Sequence, residues 1–203
     1  MNRSLIKIFV TAILISFTSH LYAEDPKGGA TPFQEITTTL GEIIKVVESN
    51  PGKEHAEARR AKLREIINPR FDFEEMSKRS LGTHWQTRTP EERAEFVSVF
   101  ADLLARTYLA KIELVKRDTV KVDKEDVDFP KALVKTTITY NGDQFPLDYK
   151  LINQNGTWRV YDVIVENIGL VSNYRNEFAG IIRKDTFTGL LKQLKDKAAK
   201  QQS

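Results

Sequence analysis

Two side chains combine proton-transfer chemistry with an interesting position. His84 stands between Gly82 and Trp85, in a predicted loop ahead of a helix, and imidazole titrates near neutrality. Asp162 is an acid inside an apolar strand, a candidate catalytic base in a cup-shaped pocket. Each also has a structural reading, which we prefer. A loop histidine makes a local hydrogen bond, and a buried aspartate pairs with a cation such as Arg159 or Arg175. The carboxylate pairs Glu74/Glu75, Glu91/Glu92 and Asp126/Asp128 fall in capping or turn contexts and read as solvated charge.

Other chemistry is removed by composition. The 203 residues contain no cysteine, which excludes disulfides, thiolate metal sites and a thiol nucleophile. Three histidines (His20, His55, His84) are too few for a multi-histidine metal centre. No Gly-x-Ser-x-Gly elbow, His-Glu-x-x-His motif, Gly-x-Gly-x-x-Gly turn or phosphate loop occurs. We therefore expect no catalytic site, no metal and no cofactor.

The elements that would position these residues follow from periodicity and capping. Thr31-Pro32 starts a helix whose apolar face is Phe33, Ile36, Leu40, Ile43, Ile44 and Val47. A charge-rich helix is predicted over roughly 53–67, and a short one over about 72–80, closed by Gly82 as a left-handed cap. Thr89-Pro90-Glu91-Glu92 is a capping box. The helix it opens runs to about Leu114 and is apolar around so much of its circumference that it must be enclosed or line something apolar.

From 118 to 165 the period changes to two. Val134/Thr136/Ile138/Tyr140 and Phe145/Leu147/Tyr149/Leu151 alternate, with Asn141-Gly142 and Asn155-Gly156 as hairpin turns. Strict alternation from Thr157 to Val165 puts Trp158, Val160 and Ile164 on one side and Tyr161, Val163 and Val165 on the other, so this strand is covered on both faces. Two helices close the chain. The expected fold class is α+β: a four-stranded antiparallel meander packed by several helices.

The chain begins with Arg3, Lys7 and an apolar run, Ile8 to Thr18, and no acid precedes Glu24. This pattern predicts a signal peptide over 1–23, cleaved near Ala23. A flexible segment over 24–30, a domain over 31–198 and a disordered tail over 199–203 complete the organisation. Removing the leader lowers the net charge from +3 to +1, since it carries two basic residues and no acidic one. No basic run with interleaved aromatics remains, so no nucleic-acid partner is expected. With so little net charge, docking must use local patches, and Arg88, Arg93, Lys116, Arg117 and Arg175 are candidates for contacts with the polar head of a ligand or with a partner.

The chain does have an excess of apolar surface. Before the long helix it comes from Phe71, Phe73, Met76 and Trp85; on that helix, from Phe96, Phe100, Leu103, Leu104 and Tyr108. The strands add Ile138, Tyr140, Leu147, Tyr149, Tyr161 and Val163, and the following segment Ile168, Leu170, Val171, Tyr174 and Phe178. A packed core and a lined cavity are both compatible with this set.

The order of these residues carries a resemblance. Phe71-Asp72-Phe73-Glu74-Glu75-Met76, Leu81-Gly82, Trp85, Thr89-Pro90-Glu91-Glu92-Arg93, and Gly156-Thr157-Trp158-Arg159-Val160-Tyr161-Asp162-Val163 with Asn173-Tyr174-Arg175 are similar to the MlaC family. These are toluene-tolerance auxiliary proteins of Gram-negative bacteria. The resemblance spans roughly 31–197. One departure is Glu166-Asn167-Ile168-Gly169, where the family pattern has Glu-Gly-Ile/Val-Ser.

The resemblance implies a periplasmic phospholipid carrier without covalent chemistry, working between an outer-membrane lipoprotein–porin complex and an inner-membrane MCE-domain ABC transporter. The family also has hopanoid-cluster members, so a hopanoid is a second candidate cargo. The residues themselves are compatible with two further functions: a pocket enzyme using Asp162 or His84, and an adaptor with a solid core. Two acyl chains carry on the order of 30 methylenes at about 0.8 kcal/mol each, so bare exposure would cost about 25 kcal/mol. A carrier must hide that surface inside an apolar cavity, and the residues from Phe73 to Phe178 named above are where the lipid is expected. Leu81–Arg88 and Glu166–Ser172, glycine-containing joints, are the expected gates.

Overall fold

The computed structural model describes residues 29–200. The predicted leader and most of the segment before the first helix lie outside the described residues, as do the last three residues of the expected tail. Residues 199 and 200 continue the final helix.

Among the described residues, six α-helices pack with one sheet. The first, α1 (Pro32–Ser49), opens with a capping box in which Thr31 and Gln34 satisfy each other's backbone amides. It is followed by α2 (Ala56–Ile67) and a 3-10 turn, Asn68–Arg70, where Pro69 cannot continue the α-helical ladder. In α3 (Phe73–Leu81), the Asp72 side chain caps the N-terminus, accepting from the Glu75 amide at 2.9 Å. The Gly82 that ends it has φ +56° and ψ −128°, so the positive φ expected of a terminating glycine is present but not the left-handed helical ψ. A second 3-10 turn, Gly82–Trp85, leads to α4 (Pro90–Ile112), capped by Thr89 and Glu92 as the sequence predicts.

The sheet is an antiparallel meander of β1 (Val120–Asp128), β2 (Lys131–Tyr140), β3 (Asp143–Gln154), β4 (Thr157–Val165) and β5 (Ile168–Gly169), in that spatial order. It thus has five strands, not four. Asn141-Gly142 and Asn155-Gly156 make two-residue turns with positive φ at both positions. Glu166 and Asn167 do the same, at φ +49° and +68°, and this reversal lets Ile168 and Gly169 pair with Val165 and Ile164. Glutamate is a weak turn signal, which is why the fifth strand is missed in the sequence. The chain ends with α5 (Leu170–Lys184) and α6 (Phe187–Lys200).

A register shift in β4 also changes which side chains share a face. Lys150 pairs with Asp162, whereas Leu151 pairs with Val160, leaving Tyr161 as an extra residue. Trp158, Val160, Val163 and Val165 therefore pack in one cluster, while Tyr161 packs in another. The strict alternation assumed from the sequence separates Val160 from Val163 incorrectly.

Two kinds of interior result. Between α3, α4, α5 and α6 lies a solid core, in which Phe96 and Phe178 meet edge to face at 5.6 Å and Phe100 and Tyr174 at 5.1 Å. On the other side of α4, the inner face of the sheet and helices α1 and α2 contribute two smaller clusters, and between them the packing is incomplete.

Candidate functional site

The incomplete packing leaves a cavity of about 300 Å³. Its sheet wall consists of Val120, Ile138, Leu147, Tyr149, Val160, Val163 and Val165. Opposite stand Ile36, Leu40 and Ile43 of α1, Ile67 at the end of α2, and Phe71, Phe73 and Met76 leading into and along α3. The C-terminal half of α4 closes one side with Leu104, Ala105, Tyr108, Leu109 and Ile112, and Leu170 enters from the start of α5. The broad apolar circumference of α4 is thus divided lengthwise: its first half is buried in the aromatic core, its second half is wall.

Nine of the expected lipid-contact residues line this cavity: Phe73, Met76, Leu104, Tyr108, Ile138, Leu147, Tyr149, Val163 and Leu170. Eight others do not. Trp85, Phe96, Phe100, Leu103, Tyr161, Val171, Tyr174 and Phe178 belong to the solid core; α4 is apolar along its whole length, so periodicity does not tell its core half from its wall half. Ile168 is 63% exposed at the β4–β5 turn. The side chain of Tyr140 lies outside the described residues. Residues that sequence reasoning missed as wall include Ile36, Leu40, Ile43, Val120 and Val165, whose signal was their place on an apolar helix face or strand side.

The polar side chains near the cavity also differ from those expected. Arg64, Arg70 and Lys111 line it, with Thr39 and Asn68. Arg70 is held by Glu35 at 2.7 Å and Glu42 at 3.8 Å, and the Lys111 ammonium lies 5.5 Å from the Tyr108 ring. None of Arg88, Arg93, Lys116, Arg117 and Arg175 is a lining residue. Arg88 pairs with Glu92 and stacks on Phe187, and Arg175 Nε donates to the Arg79 carbonyl. The Leu81–Arg88 segment contributes nothing to the wall either; of the two expected gates, only Glu166–Ser172 reaches it, through Leu170.

Asp162 is committed to structure. Its Oδ1 accepts from the Val171 amide at 3.0 Å, and its Oδ2 lies 3.7 Å from Lys150 Nζ. The partners are a helix N-terminus and a cross-strand lysine, not Arg159 or Arg175. Gly169, the N-cap of α5, makes no side-chain cap; a Cβ there would stand 3.0 Å from Asp162 Oδ2. The departure from the family pattern is thus accommodated, with the carboxylate on β4 capping the helix. His84 sits on the second 3-10 turn and does not line the cavity. Burial holds the Tyr149 phenol well above its usual pKa. Tyr174 is raised as well, first by burial and then by Tyr108. Both stay neutral at physiological pH. Among the described residues no cluster of potential metal ligands occurs, and no helix is long and apolar enough to cross a membrane.

An antiparallel meander covered by helices, with an apolar hollow held open between the layers, defines an α+β protein with an interior hydrophobic pocket. The chain belongs to the MlaC protein family, whose model matches residues 37–196. It is 20% identical to the intermembrane phospholipid transport system binding protein MlaC of Haemophilus influenzae, over 98% of this chain and 97% of that protein. It is 27% identical to the toluene tolerance protein ttg2D of Pseudomonas putida, over 76% of this chain and 74% of that one. Among solved structures, the phospholipid-binding protein from Ralstonia solanacearum, in complex with a phospholipid at 1.53 Å resolution, superposes with a TM-score of 0.77. That match has 25% identity and covers 86% of this chain and all of the other.

Proposed function

We propose that this protein is a periplasmic phospholipid carrier, shuttling one lipid between an outer-membrane lipoprotein–porin complex and an inner-membrane MCE-domain ABC transporter so that the outer membrane keeps its lipid asymmetry. The observation that carries this reading is the apolar cavity between sheet and helices, walled by side chains from α1 to α5. Its chemistry suits acyl chains: burying methylenes there recovers about 0.8 kcal/mol each, and the lining offers no group poised to cleave them. Phe73, Met76, Leu104, Tyr108, Ile138, Leu147, Tyr149, Val163 and Leu170 are the proposed acyl-chain contacts. The family relationship and the phospholipid complex of the Ralstonia solanacearum protein support the same cargo. The basic, apolar start of the sequence, with no acid before Glu24, supports export to the periplasm.

The enzyme reading loses its two residues, since Asp162 caps α5 and His84 lies away from the cavity. The test is to purify the protein under mild conditions, extract it with organic solvent and analyse the extract by mass spectrometry. Phospholipid is expected at one molecule per chain. A lipid-free extract, together with no uptake from phospholipid vesicles, would overturn the proposal.

A further inference from the structure

The apolar cavity reaches the surface where α4 gives way to β1. Lys111, Ile112 and Val115, at and just past the end of α4, line it together with Val120 at the start of β1. Lys111 is exposed and the other three are half-buried, whereas Met76, Leu104, Val160 and Val163 elsewhere in the lining are buried. Within this lip Leu114 stands outward, 60% exposed.

The lip continues across one end of the sheet. Val120 pairs with Ile138, and Leu147 with Val165, all four being lining residues. Val165 pairs in turn with Ile168, which is 63% exposed. Directly paired antiparallel residues share a face of the sheet, so Ile168 stands on the cavity side. The strands of Val120 and Ile168 are the two outermost, about 19 Å apart at the usual spacing. Two large apolar side chains, Leu114 and Ile168, thus stand in solvent at opposite corners of the lip.

Positive charge gathers at one of these corners. The chain from Lys111 to Lys121 carries Lys111, Lys116, Arg117 and Lys121 against two acids, Glu113 and Asp118. Glu113 is turned away, to Arg59 at 3.0 Å and Arg60 at 3.3 Å. Arg117 lies 3.7 Å from Glu48 and Lys121 2.9 Å from Asp123, but both cations are more than three-quarters exposed, and such pairs hold weakly. Lys116 makes no ion pair among the described residues. The segment is also pre-set: the Leu114 amide donates to the Lys111 carbonyl at 3.1 Å, and the Lys116 amide to Thr119 Oγ1 at 2.8 Å. Little ordering is then needed on contact. The Ile168 corner carries the exposed acid Glu166 instead, so attraction to an anion belongs to the α4–β1 corner.

We infer that this lip docks on an anionic bilayer. Leu114 enters the interface with Lys116 and Arg117 against the phosphates beside it, Ile168 touches at the far corner, and the cavity faces hydrocarbon. The inference rests on the lipid-carrier reading above. Protruding apolar side chains beside a cationic turn suit a flat, fluid surface, which demands no matching shape. A lip held at that surface lets acyl chains cross without meeting water.

The test floats the purified protein with large unilamellar vesicles, made of phosphatidylcholine alone or of phosphatidylcholine and phosphatidylglycerol in equal amounts. Partitioning onto the anionic vesicles should exceed that onto the neutral ones by roughly tenfold or more, since each cation near such a surface contributes about fivefold. It should fade as salt is raised. Leu114→Asn should weaken it roughly tenfold, the scale of one buried leucine, and Lys116→Gln/Arg117→Gln should abolish the preference for anionic vesicles. All three positions are exposed and none lines the cavity, so the melting temperature should not change.

Equal partitioning onto the two kinds of vesicle, or variants that float as the wild type does, would overturn the docking assignment. Wild-type protein that stays in solution would do so too, leaving the lip to a protein partner. The carrier reading is judged separately, by phospholipid in an organic extract of the same preparation. Its absence would count against that reading even where the protein floats.

Discussion

The Asp162 carboxylate, on the middle of β4, accepts a hydrogen bond from the backbone amide of Val171, the second residue of α5, at 3.0 Å. A strand residue thereby supplies the cap that Gly169 lacks. Asp162→Ala should destabilise the protein by about 1–3 kcal/mol, because a buried amide is left without its acceptor. Lys150, 41% exposed in its side chain, can turn to water and adds little. Chemical denaturation measures the loss, and lipid binding by the folded fraction should persist. Loss of binding by fully folded protein would instead restore a ligand role for Asp162.

Filling the cavity should separate binding from folding. Ile138 is a partly buried wall residue on β2, and Ile138→Trp would place an indole in the hollow. We expect lipid occupancy to fall at least several-fold while the melting temperature stays the same or rises. A folded variant with undiminished lipid uptake would show that the cargo lies elsewhere.

The aromatic core should give the opposite result. Phe100 is fully buried and touches the rings of Phe96, Tyr174 and Phe178. Phe100→Ala should cost about 3–5 kcal/mol, as large-to-small core substitutions do, with lipid affinity of the folded molecules nearly unchanged. Paired equilibrium unfolding and lipid-transfer measurements distinguish this residue from Ile138.

Alkaline pH should unfold the protein through its buried tyrosines. Burial raises the pKa of Tyr149 and Tyr174, whereas the same residues in an unfolded chain titrate near ~10. Below that pH both states are protonated and the advantage of the folded state is complete. As pH rises above about 10 the unfolded state loses the protons first, so stability declines. Tyr149→Phe should flatten that decline, measured by denaturation at a series of pH values. An unchanged slope would mean that Tyr149 ionises freely in the folded protein.

Much of the architecture is legible locally. Capping at Thr31 and Thr89, the Asn-Gly turns and the changes of period place α1 to α4, and the strands β2 to β4, within a few residues. What escapes notice depends on one residue or on distant partners. The bulge at Tyr161 has no signature in an apolar strand, yet it decides that Val160 and Val163 share a wall. Both halves of α4 are apolar, so no periodicity tells Phe100, in solid core, from Tyr108, beside the hollow. The cations near the cavity escape for another reason. Arg64 is one charge among many on α2, and its place at the cavity arises only when α4 packs beside it.

The bulge gives β4 a further property. Val163, which walls the hollow, and Asp162, which holds the first turn of α5, are consecutive in the chain, with side chains directed to opposite layers. A single peptide unit therefore lies between a wall residue of the hollow and the residue that seats the N-terminus of α5 beside the aromatic core. The wall at Val163 is joined to α5 through that peptide unit and the hydrogen bond between the Asp162 carboxylate and the Val171 amide. Hollow and aromatic core, separate in their packing, are thereby tied together at one point of β4.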